Sequence, residues 1–225
     1  GSRALLAQSI AFIPPAFTLG TPIAWATVNF DQLGKGLDLE LFFLTLRSLG
    51  LGLAAAILVV ITALLLSSAK RWNKSNWIRS LTFLAGIGYA IPGAVLALGL
   101  SSFGGPPWKF ASITLLLWGY SVRFLAVAKG GLDAAFERIS PNLDEAAVGL
   151  GCKWQEVLKK VHLPLLKGPL GVGALLVFVD TLKELPLSFA LRPFDFDTLS
   201  VRIFQYAGDE RMPEAILPSL IILFL

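Results

Sequence analysis

The chain has 225 residues, 55% of them hydrophobic and 15% charged, with a mean hydropathy of +0.71. Soluble domains carry about 25% charged residues, and here the apolar residues run in long blocks, which excludes a soluble globule and implies a polytopic membrane protein. A single Cys (Cys152) and a single His (His162) leave no internal disulfide and no metal cage of soft ligands. No metal site, cofactor or catalytic residue is expected. The net charge of +4 acts through its distribution around the membrane segments and does not point to nucleic acid.

Crossing a bilayer takes roughly 20 apolar helical residues. Ala4 to Phe30, Ser48 to Ala69 and Ser80 to Trp108 contain no charge; Phe110 to Ala128 is interrupted only by Arg123; Gly168 to about Leu191 carries Asp180, Lys183 and Glu184. A sixth apolar segment begins near Ala215 and stops at Leu225. The sequence predicts an all-α protein of about six helices with the last truncated. The chain opens on Gly1-Ser2 rather than Met, so it is expected to be a fragment, a single transmembrane domain over 1–225. The long first block, with Pro14, Pro15 and Pro22, is expected to be a span and not a cleaved signal.

Basic residues in short connections set the orientation. The turn after the second span holds Lys70, Arg71, Lys74 and Arg79 without an acid, whereas Asp31, Asp38 and Glu40 face Lys35 in the preceding connection. The first is therefore cytoplasmic and the second external. Counting spans places the N-terminus and Lys129 to Lys167 in the cytoplasm and Lys183 to Glu214 outside, where four Lys/Arg meet six acids.

The cytoplasmic segment repeats one helical spacing three times. Leu132, Ala135, Phe136 and Ile139 form a first stripe, Leu143, Ala146, Ala147 and Leu150 a second, and Trp154, Val157, Leu158 and Val161 a third. Ser140 can cap the second helix with Pro141 at its first position, Asp144 and Glu145 suit its positive end, and Gly151 can take the left-handed residue that ends it. Pro164 is expected to stop the third helix. Such a pair either lies on lipid headgroups, aided by Lys153, Lys159 and Lys160, or docks on a protein. Small Ala146 and Ala147, together with acidic Glu145, favour a cytosolic protein partner.

Glu145-Ala146-Ala147, Gly151 and Val161-x-Leu163-Pro164 resemble the EAA loop of ATP-binding-cassette (ABC) importer membrane subunits, with every spacing matched. The resemblance implies a type I ABC-importer transmembrane domain in which 129–168 is the cytoplasmic coupling loop. By the same resemblance Glu145, Ala146, Ala147, Gly151, Leu163 and Pro164 engage nucleotide-binding ATPase subunits. Further stretches are similar to one branch, the iron(III) importer permeases, and to their second half. They are Tyr89-Ala90-Ile91-Pro92-Gly93, Tyr120-Ser121-Val122-Arg123-Phe124, Arg138-Ile139-Ser140-Pro141, Lys183-Glu184-Leu185-Pro186, Leu191-Arg192-Pro193-Phe194, Phe196-Asp197-Thr198-Leu199 and Asp209-Glu210-Arg211. One departure is Pro169, which stands one residue later than the pattern and bears on how the fifth span enters the membrane.

Charges inside spans are functional candidates, each with a plainer alternative. Arg47 can snorkel at the outer end of the second span. Arg123 either snorkels to the cytoplasmic headgroups or lines a path or pairs with a neighbouring span. Asp180, Lys183 and Glu184 share a helix face that Pro186 interrupts, as a structural ion pair or as part of the substrate path. His162 is expected at an interface of the cytoplasmic loop.

The resemblance implies a multi-pass subunit of the bacterial inner membrane with a second membrane half or an identical subunit, ATPase subunits and an external substrate-binding protein as partners. Ferric iron is the implied substrate, with thiamine, polyamine, sulfate and phosphonate as alternatives. A channel or secondary transporter fits less well, because such proteins usually carry inverted repeats within one chain. A membrane enzyme lacks its parts: there is no His-Glu-x-x-His helix, no Gly-x-Ser-x-Gly elbow and no Walker A pattern. ATP hydrolysis would then fall to a separate subunit.

Overall fold

A computed structural model describes residues 2–33, 38–73, 75–103 and 109–225, with the side chains of 2–7, 9, 32, 33, 103 and 109–112 outside the description. Gly1, Lys35, Lys74 and Trp108, used above to place ends and orientation, lie outside the described residues. The described residues are helical, without strands, and fall into two compact units: 1–48 with 197–225, and 49–196.

The first unit holds α1 (Ser2–Val28), α2 (Phe30–Leu33), the start of α3 (Leu39–Trp72), α11 (Leu199–Gly208) and α12 (Met212–Phe224). Leu41, Leu44 and Leu199 are buried together, with Leu217, Ile221 and Ile222 against them. Ser48 accepts the Leu199 N–H at 2.8 Å, and Thr198 caps α11. Arg202 on α11 pairs with Glu40 and lies 3.5 Å from Asp197.

The second unit carries the candidate sites. It contains the rest of α3, α4 (Asn76–Ile87), a 3-10 turn (Gly88–Ala90), α5 (Gly93–Phe103), α6 (Lys109–Arg138), α7 (Pro141–Gly149), α8 (Trp154–Val157), a π turn (Leu158–His162), α9 (Leu163–Leu182) and α10 (Pro186–Leu191). Its core packs Ala55, Val59 and Ala63 of α3 against Leu116, Tyr120, Phe124, Ala128 and Leu132 of α6, and against Val177 of α9.

Helix direction follows from side-chain contacts. Asp133 of α6 accepts from Ser67 at 2.6 Å and from Lys70 at 2.9 Å on α3, so the C-terminal ends of these two helices lie side by side. Helix α9 runs opposite to α6: Leu166 packs with Phe136 and Ile139, and Gly173 faces Ala128. For α3 and α6 to run parallel, the chain between them must return to the starting end. The bent pair of Asn76–Ala90 and Gly93–Ser102, turning through 113°, is therefore a broken crossing and not a straight span as its charge-free sequence suggests. With it, the described helices provide up to five crossings, and Met212–Phe224 is a shorter apolar helix.

Two boundaries differ from the sequence expectation. The first apolar stripe does not form its own helix, because α6 continues unbroken to Arg138. Lys129, the charge that bounds the apolar run, pairs with Asp133 one helical turn on at 2.7 Å. Pro164 does not stop the third helix either. A π turn precedes it, with the Leu163 N–H bonded to the Leu158 carbonyl, and α9 starts there with Pro164 in its first turn. Proline lacks an N–H and its ring collides with the carbonyl four residues back, and the wider turn moves that carbonyl aside. The helix likewise runs through Pro169.

Candidate functional site

The segment from 139 to 162 is built as its sequence requires. Ser140 accepts the Asn142 N–H and Pro141 fills the first helical position of α7. At the other end Gly151 takes φ +85°. The Gly151 N–H bonds to the Val148 carbonyl at 2.8 Å and the Cys152 N–H to the Ala147 carbonyl at 3.1 Å, the two bonds of a Schellman cap. Glu156 then accepts the Lys153 N–H at 3.0 Å and starts α8.

No residue of α7 is buried. Leu143, Val148 and Leu150 are exposed, as are Glu145 and Ala146, with Ala147 half-buried. Packing therefore does not hold this helix in place, and polar contacts do. Arg71, in the last turn of α3, bonds Asp144 at 2.5 Å, the Phe136 carbonyl at 2.7 Å and the Ile139 carbonyl at 3.0 Å. The two carbonyls belong to the C-terminal end of α6, where carbonyls run short of intrahelical donors, although that of Phe136 also accepts the Ile139 N–H at 3.1 Å. The second oxygen of Asp144 meets His162 Nε2 at 2.7 Å. His162 is fully buried and its ring stands edge-on to Phe136, with centroids 5.2 Å apart. The expectation that His162 is an interface residue is thus corrected. It is an internal partner of α7, 18 residues from Asp144 in sequence.

The second constellation lies deeper. Arg123 is near the middle of the 30-residue α6, and it does not snorkel. It bonds Glu184 at 3.0 Å and the Ile91 carbonyl at 2.8 Å. Ile91 is at the break between α4 and α5, and Glu184 is at the break between α9 and α10 that the Pro186 rule anticipates. Both breaks therefore converge on one guanidinium. A broken helix leaves backbone groups unbonded at depth, tolerable where protein or a cavity satisfies them, and Arg123 supplies that donor for Ile91.

The surrounding groups leave little freedom. A Cβ on Gly88 would overlap the Val122 carbonyl of α6, and one on Gly93 would sit 2.6 Å from Glu184 Oε1 and 3.3 Å from the Arg123 Cζ. Ser188 donates to the Glu184 carbonyl, so Tyr120 donates to Ser188 Oγ at 2.6 Å. The side chain of Glu184 is 8% exposed and that of Arg123 20%. Asp180 pairs instead with Lys183 at 3.0 Å, and these are 24% and 60% exposed. The cluster thus separates into a buried pair and a more accessible pair. Among the described residues no group of three or more His, Cys, Asp or Glu could hold a metal ion.

No family model matches the chain. It is 26% identical over 168 residues to the Fe(3+)-transport system permease protein FbpB 2 of Haemophilus influenzae, across 73% of this chain and 33% of that protein. It is 28% identical over 186 residues to the probable ABC transporter permease protein y4fN of Sinorhizobium fredii, across 77% and 32%. The chain spans about a third of the length of these curated relatives. Among solved structures, it matches a bacterial ABC transporter that imports the acidic polysaccharide alginate with a TM-score of 0.68, over 98% of this chain and 93% of that one at 15% identity. The chain has the fold of ABC-importer transmembrane domains. An inward-facing structure of the MetNI methionine ABC transporter matches with a TM-score of 0.60, over 83% of this chain and 92% of that one, at 19% identity.

Within this transmembrane domain, the residues singled out by sequence fall into two places. Glu145, Ala146, Ala147 and Gly151 form and end α7, while Leu163 and Pro164 sit at the start of α9 beyond the π turn. Arg123, Glu184 and Pro186 meet at the double break, with Asp180 and Lys183 just before it on α9 and its cap. Sequence reasoning missed Arg71 as a structural partner, because it was counted only as a basic residue of a cytoplasmic turn.

Proposed function

We propose that this permease domain is one membrane half of an ATP-driven importer, coupled through α7 to ATPase subunits and passing substrate from an external binding protein into the cytoplasm. The observation that carries the proposal is α7 itself, a helix capped at both ends with no buried residue, exposing Leu143, Val148 and Leu150 where the Glu145-Ala146-Ala147 pattern lies. A helix that buries nothing within its own chain has its apolar surface left for a partner. The second half is a homologous domain or an identical subunit. Ferric iron is the proposed substrate, supported by the name of the Haemophilus relative. The proposed path includes Asp180, Lys183, Glu184, Pro186 and Arg123, and the proposed membrane is the bacterial inner membrane.

The test is the assembled complex in proteoliposomes. Glu145→Lys reverses a charge in the first half of α7, and Gly151→Val places a side chain at φ +85°, where left-handed backbone costs it roughly 1–2 kcal/mol. Each is expected to lower binding-protein-stimulated ATP hydrolysis and ferric iron uptake at least about tenfold, equivalent to about 1.4 kcal/mol of coupling, with membrane insertion unchanged. Normal uptake in both would refute the coupling role of α7.

Orientation is part of the same proposal, with the N-terminus cytoplasmic. Cys152, half-buried in the turn after α7, is expected to react with a membrane-impermeant thiol reagent in inverted vesicles and to resist it in intact cells. Reaction from the outer face would reverse the assigned topology.

A further inference from the structure

Helix α7 has no packing of its own, yet it touches three other elements through one carboxylate and one guanidinium. Arg71 binds Asp144 while also bonding the Phe136 and Ile139 carbonyls at the end of α6, and the free oxygen of Asp144 holds His162 in the π turn that leads into α9. All three side chains are buried or nearly so, with Arg71 at 14%, Asp144 at 16% and His162 at 0% exposure. Asp144 is thus the one point in the described network where α7 is joined to α3, to the end of α6 and to the start of α9 together. Of these, α6 carries Arg123 near its middle, and α9 leads to Glu184 just past its far end.

We propose that Arg71, Asp144 and His162 are positioning residues that transmit displacement of α7 to α3, α6 and α9, with the π turn as the joint. The proposal rests on the importer function above. The physical argument concerns stiffness. A helix held by apolar packing can slide over its neighbours, whereas a carboxylate gripped by two charge-assisted bonds of 2.5 and 2.7 Å fixes both distance and direction. The guanidinium adds carbonyl bonds in a fixed plane, so α7 cannot tilt without moving the end of α6 or breaking the set. The π turn is the weak element in this assembly. Its hydrogen bonds are in a register that α-helix does not continue, and such turns occur often at functional sites.

The experiment uses the full permease assembled with its ATPase subunits, with any cysteine outside 1–225 replaced and a nitroxide attached to Cys152. Asp144→Ala removes both acceptors, Arg71→Lys keeps the charge and loses the planar fork, and Asp144→Glu keeps the carboxylate on a longer stem in an exposed helix. In Asp144→Ala the nitroxide is expected to move at least about twice as fast, as a locally released element does. Substrate transported per ATP hydrolysed should fall about tenfold or more, the equivalent of about 1.4 kcal/mol. Arg71→Lys should fall between Asp144→Ala and the parent, and Asp144→Glu should recover most of the transport ratio. Unchanged nitroxide motion in Asp144→Ala overturns the clamp. Faster motion with an unchanged transport ratio overturns the transmission role, since a merely structural contact would behave so. Failure of the parent complex to transport with ATP, together with faster motion in Asp144→Ala, refutes the importer function and the role built on it while leaving the contact intact.

Discussion

Replacing Arg123 by Met is expected to destabilise the membrane domain by about 3–5 kcal/mol, the cost of removing one partner from a buried ion pair. The Glu184 side chain, 8% exposed, loses its counter-ion, and the Ile91 carbonyl loses the donor that covers the α4–α5 break. The double variant Arg123→Met/Glu184→Met removes both charges and is expected to recover most of the loss. The residue is the Ile91 carbonyl, for which about 1–3 kcal/mol is the usual cost of an unmet buried acceptor. Thermal unfolding of the purified permease, with folded yield in the membrane as a second measure, gives the four corners of a double-mutant cycle. A coupling of about 2 kcal/mol or more is expected for groups in direct contact. Additive losses would show that the two breaks are held together by something other than this pair.

The same site shows how far sequence reaches. Pro186 announces the second break, because proline constrains the residue before it, whereas the charge-free run through Pro92-Gly93 reads as one span and is bent in the structure. The convergence of both breaks on Arg123 joins positions 32 and 61 residues away, and no local rule encodes that. Snorkelling was the natural expectation for a lone Arg in an apolar segment, and only the fold supplies the carboxylate that changes it. The caps of α7 were legible for the opposite reason: Ser140, Pro141 and Gly151 act within a few residues of their own backbone, and each takes the predicted role. Asp144 was legible only in part. Its place in the first turn suits the helix dipole, but its grip on Arg71 and His162 spans 73 and 18 residues. Gly93 carries a comparable lesson: its need to lack a side chain comes from Glu184 and Arg123, not from its own backbone.

Removing the Asp180–Lys183 pair is expected to abolish transport while leaving the fold intact. Asp180 stands one turn before the break at 183–185 and Lys183 opens it, and the neighbouring Glu184 is bonded to the middle of α6, so both charges sit within the crossing rather than at its rim. Their exposure distinguishes them from the Arg123–Glu184 pair. Lys183 is 60% exposed, and a charge in a membrane segment that is not covered by its own protein faces a water-filled cavity or a neighbouring domain, since facing lipid is costly. An exposed ion pair contributes roughly 0–1 kcal/mol to stability, so Asp180→Asn/Lys183→Met should fold and assemble like the parent. A path role instead predicts that uptake by reconstituted vesicles falls more than about tenfold at matched protein level, a transport barrier raised by about 1.4 kcal/mol or more. The single variants are less informative, because each leaves one charge without its partner and changes the local net charge by a full unit. Normal uptake by the double variant would remove Asp180 and Lys183 from the path and leave the double break as a purely structural joint between α5, α6 and α10.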